Sequence, residues 1–213
     1  MRKALLIVSV AVFGLSFGGG EQAVSTFTDK RDGKVYRIVE IGGAVWMAEN
    51  LNFAAEGSKC YKDSAEYCAK YGRLYNWETA LKACPAGTHL PSDKEWTTLV
   101  DYAGGWETAG KKLKSSEGWA KGWDDDNGNG TDYYGFSALP GGGSNSINYG
   151  AIGYVGDGGY WWSATVYEYN AKFVYYRSMS SYGSEFVIRY YAPTKNVFPM
   201  LFSVRCVQDK ESE

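Results

Sequence analysis

The stretch that decides the fold is Tyr71–Tyr102, YGRLYNWETALKACPAGTHLPSDKEWTTLVDY. It reads as helix, cysteine, tight turn, helix. Leu74, Trp77 and Leu81 recur at i, i+3 and i+7, which places them on one helical face. Pro85 and Gly87 stop that helix just after Cys84. Ser92 and Glu95 then stand in the S-x-x-E relation of a capping box, in which each side chain satisfies the other's backbone amide. Trp96, Leu99, Val100 and Ala103 carry the apolar face onward. Two helices of about three turns cannot hold together alone and need a sheet to pack on. The Tyr-, Trp-, Val- and Gly-rich remainder can supply one, with Cys84 as the staple between helix and sheet.

The full length of 213 residues suits a single domain. A hydrophobic content of 45% allows a sizeable core, and 27 glycines favour short strands and tight turns. The net charge is −2; without Arg2 and Lys3 it becomes −2 − 2 = −4. With no basic surplus to meet phosphates, nucleic acid is excluded as a partner. Residues 1–20 fit a secretory leader: Arg2 and Lys3, an apolar run from Ala4 to Phe17, then small residues. That run is shorter than the roughly 20 residues a spanning helix needs, and no other segment could span a bilayer. The expected product is a single domain over 21–213, secreted or at the cell surface. The sequence sets no oligomeric state.

In an exported chain, four cysteines are expected to form two disulfides, with three connectivities open. The expected pairs are Cys60–Cys68, around the polar loop YKDSAEY, and Cys84–Cys206, from the first helix to the last strand. All four are read as structural. Zinc is disfavoured, because no C-x2-C occurs and His89 is the single histidine. Before the helices, Thr26–Lys30, Val35–Ile41 and Ala44–Met47 read as a meander, turned at Asp32-Gly33 and Gly42-Gly43. Ala54–Tyr67 reads as loop, and Ala103–Lys114 as a short helical segment anchored by Leu113. After them, Tyr160–Thr165, Ala171–Ser178, Glu185–Tyr191 and Leu201–Val207 read as strands. Trp161 and Trp162 are strand neighbours, so they face opposite ways; one is expected in the core and the other at the surface. Residues 115–159 lose all periodicity yet hold many aromatics, and are expected to form a large ordered loop region.

The runs DGKVYRIVEIG, WMAENLN (Trp46–Asn52), YGRLYNW (Tyr71–Trp77), CPAGTHLPSDKEW (Cys84–Trp96), GTDYYGFSALPGG (Gly130–Gly142), WWSAT (Trp161–Thr165) and SVRCV (Ser203–Val207) resemble the Fibrobacter succinogenes major paralogous domain, a secreted bacterial domain. The resemblance covers about residues 26–207. One departure is Thr88, where the family usually has Trp. The family is similar in pattern to C-type lectin-like folds and to the sulfatase-modifying group. The resemblance implies an α+β, C-type lectin-like fold: two helices flanking a small twisted antiparallel sheet, a disulfide from the first-helix region to the last strand, and a long loop region that carries function. A fold alone does not carry a function with it.

The candidate chemistry lies in that loop region. Asp125, Asn127, Asn129 and Gly130 match D-x-N-x-N-G, the opening of a calcium loop, and Asp132 is a further candidate oxygen ligand. The closing Glu of such a loop is absent, because Phe136 occupies its place; the alternative is a solvated Asn/Gly turn. Trp119, Trp123, Tyr133, Tyr134, Tyr149 and Tyr154 are candidates for a sugar-stacking surface, or else the loop's own small core. His89 lacks any G-x-S-x-G-type partner and is read as structural, bonded to the turn backbone. No carboxylate pair stands out among Asp124, Asp125, Asp126 and Glu168. The reading is a non-catalytic binding module for a polysaccharide or partner protein, with calcium as its one candidate cofactor. The alternative is a structural, matrix or adhesion component of the cell surface.

Overall fold

The computed structural model describes residues 25–122, 127–144, 152–183, 185–194 and 200–210. The leader expected over 1–20 lies outside them. Two sheets organise the chain. The first begins with the meander β1 (Thr26–Thr28), β2 (Val35–Ile41) and β3 (Ala44–Met47). Ile41 pairs with Ala44. The two residues between them, Gly42 and Gly43, have φ of 63° and 74°. Positive φ at both positions is the twist-matched two-residue hairpin turn that favours glycine. Thr88–His89 forms β5 and Val207–Gln208 forms β12; the sheet order is β1-β2-β3-β12-β5.

The second sheet has seven strands. β8 (Gly158–Val166), β9 (Phe173–Ser180) and β10 (Ile188–Pro193) are antiparallel neighbours. Beyond β8 lie β11 (Phe202–Ser203) and then β4 (Leu74–Tyr75). A glycine-rich hairpin, β6 (Gly141–Ser144) with β7 (Ile152–Val155), also pairs with β8 through β6.

Four short helices pack around the sheets: α1 (Ala65–Tyr71), α2 (Trp77–Ala83), α3 (Asp93–Tyr102) and α4 (Ala109–Leu113). The expected architecture, two helices flanking one small sheet, is therefore corrected. The described chain is mostly β, with twelve strands in two sheets. The difference comes from pairing over long sequence distances. Strands of two residues, such as β4, β5, β11 and β12, carry no period of their own. They exist because distant partners satisfy their backbone groups.

The opening stretch shows this directly. The Leu74/Trp77/Leu81 face is not one helix. Leu74 and Tyr75 are buried strand, and Leu81 is 41% exposed. Asn76 divides the two states: its Oδ1 accepts the Thr79 amide at 2.9 Å, so the helix starts at Trp77. The capping box of α3 is as expected. The Glu95 amide donates to Ser92 Oγ at 3.2 Å, and the Ser92 amide donates to Glu95 Oε2 at 2.7 Å. Helix α1 begins inside the Ala54–Tyr67 segment read as loop.

Leu201–Val207, expected as one closing strand, is split between the sheets. Phe202–Ser203 joins the second and Val207 the first. Arg205 sits at the crossing, wholly buried. The core is correspondingly double. One cluster holds Trp46, Trp96, Phe136 and Trp161, and the other Tyr75, Trp162, Phe202 and Val204. Trp161 and Trp162 do face opposite ways, but both are buried, because both faces of their sheet are covered. Each ring N–H finds an acceptor, Asn50 Oδ1 for Trp161 and the Tyr75 carbonyl for Trp162.

Both disulfides pair as expected, Cys60–Cys68 and Cys84–Cys206. The second spans 122 residues and ties the end of α2 to the approach to β12. On the chain-entropy model it contributes about 5 kcal/mol, against about 2.5 for the short one.

Candidate functional site

Helix α3 ends at two glycines, Gly104 and Gly105, with φ of 108° and 86°. The Gly105 amide donates back to the Val100 carbonyl at 2.9 Å and closes the helix end. The chain therefore turns sharply, and Trp106 follows. The Trp106 carbonyl accepts the Val187 amide at 2.9 Å, which fixes it beside the entry to β10. Its ring lies 5.8 Å from that of Phe186. At 57% exposure, Trp106 is the exposed tryptophan among the described residues.

Trp106 borders a groove of about 340 Å³ between α3 and β10. Thr97, Val100 and Asp101 of α3 line one side, and Val187, Ile188 and Arg189 the other. Arg177 lies beneath. Its Nη1 meets Asp93 Oδ1 at 2.5 Å, and its Nη2 donates to Thr97 Oγ1 at 3.0 Å. Burial draws the Arg177 pKa below the usual value, with Asp93 opposing. Arg189 is half-exposed and lies over the Tyr175 ring at 4.1 Å. Burial lowers its pKa, but Tyr175 and Asp93 outweigh that and raise it. The groove thus offers one aromatic face, apolar walls and a few fixed polar groups, which is the usual make-up of a small-ligand site.

The loop-region candidates fall into different places. Trp119 is 5% exposed. Its ring N–H donates to the Ala138 carbonyl at 3.0 Å, and Lys114 Nζ lies 4.1 Å from its ring. It anchors the loop from inside and offers no face to solvent. Tyr133 is 73% exposed and packs edge-on to the half-buried Tyr134, which in turn contacts Tyr102. Tyr154, 43% exposed, lies far along the chain on β7 and contacts Tyr160 instead. Trp123, Asp125 and Tyr149 lie outside the described residues. The four described candidates, Trp119, Tyr133, Tyr134 and Tyr154, do not form one surface.

Of the proposed calcium ligands, three can be placed. Asn127 Oδ1 accepts the Asn129 amide at 3.1 Å, and Asn129 Oδ1 accepts the Trp119 amide at 2.9 Å. The Asp132 carboxylate accepts both the amide and the hydroxyl of Ser137, each at 2.6 Å. All three side chains accept hydrogen bonds from within the loop region. Among the described residues no group of three or more His, Cys, Asp or Glu is placed to hold a metal.

His89 was expected to bond the turn backbone. Its ring instead joins two carboxylates, Nδ1 to Asp209 Oδ1 at 2.7 Å and Nε2 to Glu95 Oε1 at 2.8 Å. Ser92 Oγ donates to Glu95, not to His89. That order is not nucleophile–base–acid, where the base must touch the nucleophile.

A family model described as the Fibrobacter succinogenes major domain matches residues 39–208. No curated protein matches the chain, and no solved structure matches it.

Proposed function

We propose that this chain, which belongs to the Fibrobacter succinogenes major domain family, is a non-catalytic, secreted or cell-surface module that binds a polysaccharide. The observation that carries the reading is the exposed Trp106 ring on the rim of a groove between α3 and β10. A Trp face covers the C–H face of a sugar ring, while Asp101, Thr97 and Arg189 are placed to meet its hydroxyls. Two disulfides suit an oxidising, exported setting, and no helix among the described residues is long and apolar enough to cross a membrane.

A second reading, a structural or adhesive part of a surface assembly, has its own observation. Among the described residues β10 pairs on one side only, with β9, and its Tyr190 and Tyr191 are 46% and 53% exposed. An open sheet edge is a template for another chain.

Depletion of the protein from solution by insoluble cellulose and other plant polysaccharides, with sedimentation in parallel, tests both. The binding reading expects retention by at least one polysaccharide, lost in Trp106→Ala with the fold intact. Retention unchanged in that variant removes the groove. No retention at all, with concentration-dependent assembly, favours the surface assembly.

A further inference from the structure

The two disulfides have different surroundings. Cys206 is wholly buried and its partner Cys84 is half-buried, while Cys60 and Cys68 are 9% and 4% exposed. Cys60 and Cys68 both line an open groove of about 440 Å³, together with Lys34, Lys59 and Arg73. Asp63 is the acidic group on that wall. Arg73 faces the sulfurs directly. Its Nη1 lies 3.3 Å from Cys60 Sγ and 3.6 Å from Cys68 Sγ. The guanidinium is held in place by Ser58, whose Oγ accepts from Nε at 2.8 Å and whose carbonyl accepts from Nη2 at 3.1 Å. Among the described residues no carboxylate lies within ion-pair distance of Arg73.

A neutral disulfide gives a guanidinium little to bind. A thiolate gives it a full charge, and a cation beside a cysteine stabilises the thiolate. Exchange is faster when the leaving thiolate is stabilised, and the groove is the route by which a small thiolate reaches these two sulfurs. We infer that Cys60–Cys68 is a thiol–disulfide exchange site, opened by a dithiol reductant with the domain still folded, and that Arg73 is its positioning residue. The thiolate of the dithiol attacks either protein sulfur through the groove. The S–S bond breaks, and the other sulfur leaves as a thiolate within reach of Arg73. The second thiol of the reductant then attacks the mixed disulfide and releases the second protein thiolate. Two electrons pass to the protein, the reductant departs as its own disulfide, and solvent supplies the two protons that complete the pair of thiols. Opening frees α1, which carries Cys68, from the 3₁₀ turn at Tyr61–Asp63 that follows Cys60.

The test is timed reduction of the native protein by dithiothreitol, quenched with an alkylating reagent and read by peptide mass mapping. Circular dichroism in the same samples reports the fold. Cys60 and Cys68 are expected to become alkylated first, with the fold retained. Arg73→Ala is expected to slow their opening roughly tenfold, and Arg73→Lys, which keeps the charge, to recover part of the rate. The inference is overturned if both disulfides open together only as the fold is lost. It is equally overturned if Arg73→Ala opens as fast as the native protein, or if Arg73→Lys is as slow as Arg73→Ala.

Discussion

Asn50 Oδ1 accepts from both Nε and Nη2 of Arg205, at 3.2 and 2.8 Å, and so fastens a buried cation with a neutral amide. The same oxygen takes the Trp161 ring N–H at 2.8 Å, and Asn50 Nδ2 donates to the Tyr71 carbonyl at 2.9 Å. Arg205 also donates to the carbonyls of Met47 and Phe136 and lies over the Phe136 ring. Burial draws its pKa down to about 9, with Glu49 and Asp132 opposing at longer range. This pair sits where the chain passes from the second sheet to the first, so it joins both cores. Removing Arg205 leaves several buried acceptors without donors, each costing about 1–3 kcal/mol. Arg205→Ala is expected to lower unfolding free energy by about 3–5 kcal/mol, read from urea denaturation. A loss no larger than that of a typical surface change, about 0.5 kcal/mol, would show that the crossing is held by other contacts.

The His89 cluster makes stability depend on pH in a defined window. Burial of the imidazole opposes its charge, but the bonds to Glu95 and Asp209 outweigh that, so its pKa is raised above 6.5. Burial likewise works against the Glu95 carboxylate, and its bonds to Ser92 and His89 outweigh it, so its pKa is lowered below 4.5. The His89 contribution is full below the ordinary imidazole value and is lost as pH rises through the raised one. The Glu95 contribution is full above the ordinary carboxyl value and is lost as pH falls through the lowered one. Both are present together from 4.5 to 6.5. Melting temperature should therefore fall more steeply from about pH 6 to 9 in the native protein than in His89→Gln. Because His89 and Asp209 are partly exposed, added salt should shrink the difference. Parallel melting curves for the two proteins over that range would remove the cluster from the pH response.

Local signals in the sequence survive into the structure. The Gly42-Gly43 turn, the Ser92/Glu95 capping box and the strands at Val35–Ile41 and Ala44–Met47 are settled within a few residues of chain, so their side chains announce them. What could not be read is what only a distant partner fixes. Leu74–Tyr75 is strand because Phe202 and Ser203 pair with it. Gly141–Ser144, a glycine run with no strand signature, is strand because β7 and β8 flank it. Gly142 tolerates no side chain there: a Cβ would stand 2.2 Å from the Gly153 carbonyl oxygen. Trp106 is not legible in the sequence as a site residue, because it lies in no periodic run. Its one signal is position, a lone Trp directly after the Gly104-Gly105 pair that ends a helix.

The two disulfides should differ in what they contribute. Loops of 122 and 8 residues give about 5 and about 2.5 kcal/mol on the chain-entropy model. Replacing Cys84 and Cys206 together with Ala should cost roughly twice as much unfolding free energy as replacing Cys60 and Cys68. Loss of the longer bridge should also steepen the urea slope, because the unfolded chain is then less compact and exposes more surface. Equal midpoints for the two double variants would mean that the long loop is already compact in the unfolded chain.

Trp119 and Trp106 separate stability from recognition. Trp119 is buried, and its ring N–H is committed to the Ala138 carbonyl. Trp119→Ala empties a packed site and is expected to cost about 3–5 kcal/mol. Trp119→Phe keeps most of the volume but leaves the Ala138 carbonyl without this donor, and should cost less. Trp106 rests on the surface, with its ring against Phe186 and its carbonyl, which any residue would supply, on the Val187 amide. Trp106→Ala should change stability by about 0.5 kcal/mol and reduce polysaccharide affinity at least roughly tenfold, about 1.4 kcal/mol. Isothermal titration against the polysaccharide that retains the native protein, with urea denaturation of each variant, measures both quantities. If Trp106→Ala loses stability as Trp119→Ala does, the ring is a packing element and the groove beside it is not the binding site.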